Sequence, residues 1–152
     1  YEVTNAGDVV AEFTGQGVDT VWTSLASYTL GANVERLFFG GSGNFTGTGN
    51  ALANVIGGGT GNDVLTGGLG SDTFMFAAGF GNDSILDFDA NPAGGQDLIR
   101  LTVPGITAAN FAASVAITDV GADTRVTIGA NSITLVGVAD ATTITQADFI
   151  VS

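Results

Sequence analysis

Gly58-Gly59-Thr60-Gly61-Asn62-Asp63-Val64-Leu65-Thr66 is followed without a gap by Gly67-Gly68-Leu69-Gly70-Ser71-Asp72-Thr73-Phe74-Met75. Both stretches fit one nine-residue pattern, G-G-x-G-x-D-x-U-x, where U is a large apolar residue, and self-similarity at a fixed period marks a repeat architecture. Flexible glycine-rich linkers do not hold an aspartate and an apolar residue in register. Six residues of each unit suit a turn and three suit a strand, and a strand that short buries only Leu65 or Phe74. One unit cannot fold alone. Stacking the turns of a flattened right-handed coil lines these residues into a continuous core, so stability arises between neighbours.

The same frame extends in both directions. Residues 49–57 put Asn54 at the aspartate position and Ile56 at the apolar one, and residues 40–48 open with Gly40-Gly41-Ser42-Gly43. After two extra residues, Gly79-Phe80-Gly81-Asn82-Asp83-Ser84-Ile85 restores the core pattern, which Gly15-Gln16-Gly17-Val18-Asp19-Thr20-Val21 also carries. Short β-favouring runs between Tyr1 and Phe39 read as longer, irregular rungs. After Asp97 the repeat stops. Val115 to Ile117, Arg125 to Ile128 and Ile133 to Val136, separated by Gly121-Ala122-Asp123 and Ala130-Asn131, have the grammar of an antiparallel meander. Thr107 and Thr145 each suit the cap of one helical turn ending in Phe111 and Phe149. The expected organisation is all-β: a parallel β-roll over 1–96, with the nonapeptides at 58–75, and an antiparallel β-rich cap over 97–152.

The spacing of oxygen atoms points to calcium. A hard cation takes roughly six to eight oxygens, and backbone carbonyls serve beside carboxylates. In a glycine-rich turn alternate carbonyls point to opposite sides. The carbonyls of Gly58 and Thr60, or of Gly67 and Leu69, can therefore face one ion, and those of Gly59 and Gly61, or of Gly68 and Gly70, another. The aspartates Asp63 and Asp72 can bridge both. Because one coil takes two nonapeptides, Asp63 is expected beside the turn containing Gly79, Gly81 and Asp83. Asp72 is expected beside Asn54 or the acidic segment Asp87-Phe88-Asp89. An asparagine brings no charge, so a site at Asn54 should be weak or empty.

Composition agrees and excludes alternatives. Fifteen acidic residues face only Arg36, Arg100 and Arg125, for a net charge of −12 with no lysine or histidine. Nucleic acid is excluded as a partner, and bound cations would relieve the self-repulsion. Cysteine is absent, so neither disulfides nor thiolate metal sites can form. Without His, Lys or Cys no ordinary activated nucleophile can be assembled, and Asp87 with Asp89 suits metal ligation better than acid–base catalysis. No apolar run is long enough to span a bilayer, and the start at Tyr1 suggests a fragment whose catalytic module, if any, lies upstream.

The tandem nonapeptides resemble the RTX (haemolysin-type) calcium-binding repeats of bacterial exoproteins. Asn5 to Val10, Ser27 to Glu35 and Gly47 to Asn54 look like the irregular repeats that precede such nonapeptides. The resemblance implies a parallel β-roll with calcium in its turns, secretion to the bacterial exterior, and an uncleaved signal near the carboxyl terminus read by a type I secretion machine. Asp148-Phe149-Ile150-Val151-Ser152 has the acidic residue followed by apolar ones that such endings carry, and it reads equally well as a final core strand. The family appends these regions to proteases, lipases, epimerases, toxins and adhesins. The expected function is a calcium-binding module that folds on calcium binding and supports export and folding of the domain upstream in the same polypeptide. The alternative is a segment of a calcium-stabilised surface adhesin that binds glycan or another surface.

Overall fold

A computed structural model of the protein describes residues 1–91, 93 and 95–151. The chain is all-β. Its first ten strands are β1 (Glu2–Val3), β2 (Thr20–Thr23), β3 (Ser27–Thr29), β4 (Arg36–Phe39), β5 (Thr46–Thr48), β6 (Val55–Gly57), β7 (Val64–Thr66), β8 (Thr73–Ala77), β9 (Asn82–Ile85) and β10 (Leu98–Thr102). Four more follow: β11 (Ala116–Val120), β12 (Asp123–Ile128), β13 (Asn131–Leu135) and β14 (Phe149–Val151).

From β2 to β10 successive strands alternate between two facing sheets, which is what a coil of turn and strand must do. One sheet runs β1-β2-β4-β6-β8-β10-β14, every pair parallel, and the other runs β11-β12-β13-β9-β7-β5-β3. The register carries the repeat. Thr46 lies opposite Val64 and Val55 opposite Thr73, both 18 residues apart. The pair Val64 and Ser84 widens to 20 because of the two extra residues before Gly79. Thr73 and Leu98 are 25 apart because the intervening turn is longer.

Alternation along each strand sends one side chain inward per rung. Val21, Leu37, Ile56, Phe74 and Ile99 are in register across the first sheet, and all are 0% exposed. Leu65 and Ile85 do the same across the second. Gly47 occupies the inward position of β5, where the pattern calls for a large apolar residue. The ring of Phe45 fills that space, so that a Cβ on Gly47 would sit 2.6 Å from Phe45 Cε1, and it stacks on Phe39 at 4.7 Å. Phe45 stands at the repeat's aspartate position, so a turn side chain makes good the missing core residue.

Beyond β10 the strand direction changes while the sheets continue. β11, β12 and β13 form the expected antiparallel meander, and β13 pairs parallel to β9. β14 pairs parallel to β10, so the ending is a core strand, with Phe149 buried against Phe111. Ser152 lies outside the described residues. The helical turns differ from expectation at one place. Thr145 caps a 3-10 turn over Gln146–Asp148 through a capping box, but the α-helix α1 (Phe111–Ser114) starts at Phe111 behind Asn110. Asn110 Oδ1 accepts the Thr107 N–H at 2.8 Å, which makes residues 107–110 a turn before the helix. No helix among the described residues is long and apolar enough to cross a membrane.

Candidate metal-binding turns

The turns collect along the two edges of the roll. On one edge, turns 40–45, 58–63 and 78–83 stack. The Asp63 carboxylate accepts the N–H of Phe45 through Oδ1 at 2.8 Å, and Asp83 Oδ1 accepts the N–H of Asp63 at 2.8 Å. A second ladder runs the opposite way, with Asn44 Oδ1 accepting from Asn62 N and Asn62 Oδ1 from Asn82 N, both at 2.9 Å. Asp63 therefore does lie beside the turn of Gly79, Gly81 and Asp83. Above it, Gly81 N donates to Asn131 Oδ1 at 3.1 Å, which ties the last turn of this edge to the meander.

The second carboxylate oxygens of Asp63 and Asp83 are buried and have no hydrogen-bond partner. Each side chain is 2% exposed. An unsatisfied buried acceptor costs about 1–3 kcal/mol, and more when it carries charge. Burial accordingly raises the pKa of Asp63, against the lowering effect of the Phe45 N–H. It pushes Asp83 up to about 7, partly opposed by the Asp63 N–H and reinforced by the Asp63 charge.

On the opposite edge, turns 30–35, 49–54 and 67–72 stack, and the segment after β9 adds Asp87, Asp89 and Asp97 to them. Asp72 Oδ1 accepts from Asn54 N at 2.7 Å, and Asp97 Oδ1 accepts from Asp72 N at 2.8 Å. Asp97 Oδ2 accepts from Asp89 N at 3.0 Å, while Asp87 receives the N–H groups of Gly67 and Gly68 at 2.9 and 2.8 Å. Burial pushes Asp72 up to about 6, offset in part by the Asn54 N–H and reinforced by the charges of Asp97 and Asp87. The pKa of Asp97 is raised too, first by burial. Asp72 is thus flanked by Asn54 below and Asp97 above. Asp87 closes over the first two glycines of its turn, and Asp89 is exposed.

The glycines serve two separate purposes. At the first position of each turn the need is space, because a Cβ on Gly58 would overlap Asp63 Oδ2 and one on Gly67 would overlap Asp72 Oδ2. At the second and fourth positions the need is conformation, with Gly59 at φ 84° and Gly61 at φ 136°, a region L-residues rarely adopt. A Cβ on Gly61 would also overlap the carbonyl of Gly43, and one on Gly81 that of Gly61. Thr60 and Leu69 have exposed side chains, and Leu69, 72% exposed, can contribute only backbone oxygen.

These turns offer oxygen alone, as carboxylates and carbonyls, which is the donor set of a hard divalent cation. Among the described residues no three acidic side chains form a carboxylate cage. A cation would need turn carbonyls to complete its shell. Sequence reasoning missed Asp97 and the asparagine ladder. Asp97-Leu98-Ile99 keeps the D-x-U core of the repeat, a signal obscured by the long segment before it. Asn44, Asn62 and Asn82 share the position before the repeat's aspartate position, a regularity visible once the rungs are aligned.

The structure is similar to that of the extracellular lipase LipA from Serratia marcescens, with a TM-score of 0.68 and 25% identity over 90% of this chain and 20% of the lipase. It is also similar to the AlgE6R3 subunit of the mannuronan C5-epimerase from Azotobacter vinelandii, with a TM-score of 0.54 and 24% identity over 95% of this chain and 86% of that one. The chain spans about a fifth of the lipase it matches. No family model matches the sequence, and no curated protein matches it closely.

Proposed function

We propose that this chain is a calcium-binding β-roll module of a secreted bacterial protein, which completes its fold on binding calcium and supports export of the polypeptide to which it belongs. The observation that carries the reading is the pair of partnerless buried oxygens on Asp63 and Asp83. Asp63 and Asp83 on one edge, and Asp72 with Asp97 on the other, would hold the ions together with turn carbonyls. Bound calcium would supply the positive charge these carboxylates lack. A ligand that binds only the folded form stabilises it by mass action, so the turns order where calcium is plentiful outside the cell and loosen where it is scarce. Calcium titration followed by circular dichroism and calorimetry tests this on the parent, Asp63→Ala and Asp72→Ala. Unchanged spectra and melting after chelation of the parent would refute the coupling, and intact affinity in both variants would refute the ligand assignment.

Export through a type I machine with an uncleaved carboxyl-terminal signal is the companion proposal, supported by the Asp148 to Val151 ending. Deleting residues 141–152 should abolish export of a fusion that is otherwise exported. We assign no catalytic role to this chain, because without His, Lys or Cys it cannot assemble an ordinary activated nucleophile.

One observation favours the adhesin reading. Trp22 is 53% exposed and packs against Phe38 at 4.9 Å on the outer face of the first sheet, where Arg36 and Arg100 line one shallow depression with Phe38 and Met75. Aromatic and arginine side chains on a flat sheet suit a sugar surface. Binding to immobilised glycans that Trp22→Ala abolishes, without changing the calcium-dependent melt, would support it; no binding by the parent would dismiss it.

A further inference from the structure

We infer that the two halves of the roll differ in metal dependence: residues 20–57 are closed by neutral hydrogen bonds, carboxamide ones on one edge, and stay ordered without an ion, whereas the turns from Gly58 onward need calcium. The inference rests on the calcium reading for the second half only. Its first support is the gap between turns 30–35 and 49–54, which occupies on this edge the place an ion would take. Asn50 Nδ2 donates to the carbonyls of Gly31 and Val34 at 2.8 and 2.7 Å, and Asn54 Nδ2 donates to that of Val34 at 3.1 Å. Asn54 Oδ1 meanwhile accepts the N–H of Asn50 at 2.7 Å, and Asn50 Oδ1 accepts that of Leu52 at 2.8 Å.

The orientation of both amides is set by what surrounds them. Carbonyl oxygens can only accept, so the NH2 groups must face Gly31 and Val34. A cation in this gap would meet donors where it needs oxygens, and Asn54 is 1% exposed with no room to turn. Neutral donors here satisfy the turn carbonyls that a calcium ion would otherwise ligate.

The rest of this half is also stitched without charge at depth. On the other edge the short turn 24–26 is held by Leu25 N donating to Thr23 Oγ1 at 3.1 Å, and turn 40–45 carries Phe45 in place of aspartate. Main-chain bonds from Gly40 N to Thr23 O and from Thr46 N to Ala26 O, at 2.8 and 2.9 Å, join the rungs. Among the described residues of this half, the acidic side chain that accepts a hydrogen bond is Glu35, from Asp19 N at 2.8 Å, and it is half-exposed; buried carboxylates reach the half only at its boundary, where Asp63 and Asp72 accept from Phe45 N and Asn54 N. Every buried carboxylate among the described residues, from Asp63 to Asp148, lies beyond Gly58. Val21, Leu30, Val34, Leu37, Phe39, Phe45 and Ile56 are this half's share of the one hydrophobic core that runs through the roll, so its burial does not depend on the carboxylate-lined turns.

Hydrogen exchange on the whole chain, with saturating calcium and then with excess chelator, separates the halves. The amides of Leu30, Gly40 and Thr46 should lose less than about tenfold in protection on chelation, and those of Val64, Thr73 and Ser84 more than about a hundredfold. Equal loss in both halves would overturn the inference while leaving the calcium reading intact. No loss in either half would overturn the calcium reading and the inference with it. Asn54→Asp supplies an independent check, because it sets an acceptor against the Val34 carbonyl without changing size. In chelator this variant should lose protection at Leu30 and Thr46, and regain it with calcium only if the carboxylate recruits an ion. Parent-like protection in chelator would show that the carboxamides do not close the gap.

Discussion

Removing calcium should invert the ordinary pH dependence of the roll. Asp83 has a folded-state pKa of about 7 against an ordinary 3.8, because burial penalises its charge. A group raised in the folded state contributes stability that is fully present below its unfolded value and is lost as pH rises through the folded one. In the metal-free chain the loss falls between about pH 4 and 7, and Asp72, raised to about 6, adds to it in the same direction. At roughly 1.4 kcal/mol per pH unit, the Asp83 rise corresponds to about 4 kcal/mol, halved to about 2 kcal/mol because the turn lies at a solvated edge. Urea denaturation of the chelated chain should therefore give higher stability at pH 5 than at pH 8 by about 2 kcal/mol or more. In saturating calcium the order should reverse, since protons compete with the ion for the same oxygens. Asp83→Asn should flatten the metal-free profile. Stability of the chelated parent that rises steadily from pH 5 to pH 8 would refute the argument.

Three further outcomes follow from particular contacts. Leu65→Ala removes a fully buried side chain from the second sheet and should lower unfolding stability in calcium by about 2–5 kcal/mol, read by urea denaturation. Gly58→Ala places a Cβ 2.7 Å from Asp63 Cγ and should weaken calcium binding at the Asp63 edge in calorimetry, while Gly7→Ala, in open space, should leave it unchanged. Thr145→Ala deletes the acceptor for Ala147 N and should cost about 1 kcal/mol, seen as a lower melting temperature with calcium affinity unaltered.

What could be read from the sequence was what the period controls. Leu65 and Phe74 recur nine residues apart, and a coil of alternating strands then follows, because each inward residue needs a neighbour one rung away to be buried. The turn glycines and Asp63 were legible for the same reason. Phe45 was not, since nothing local reveals that a ring at the aspartate position would turn inward to fill the hole left by Gly47.

The closing of the roll depends on pairings across long separations, which no period encodes. Phe149 comes to lie beside Ile99, and Ser132 beside Asn82, each 50 residues away. Both sheets would otherwise end on bare edges at β10 and β9, a template for adding strands from other chains. The first sheet is extended by the single short strand β14, and the second by a meander that reverses direction. The equal separation of 50 residues means that the segment after β10 finishes both sheets together. It also places Asn131 and Ser132 over the Gly81-Asn82 turn, where they hydrogen-bond Gly81 N and Asn82 Oδ1 at 3.1 and 2.9 Å. The cap therefore supports the topmost turn of the Asp63 edge by neutral side chains, as Asn50 and Asn54 close the lowest rungs of the other edge, and the buried aspartates Asp63, Asp72, Asp83 and Asp97 are confined to the rungs between.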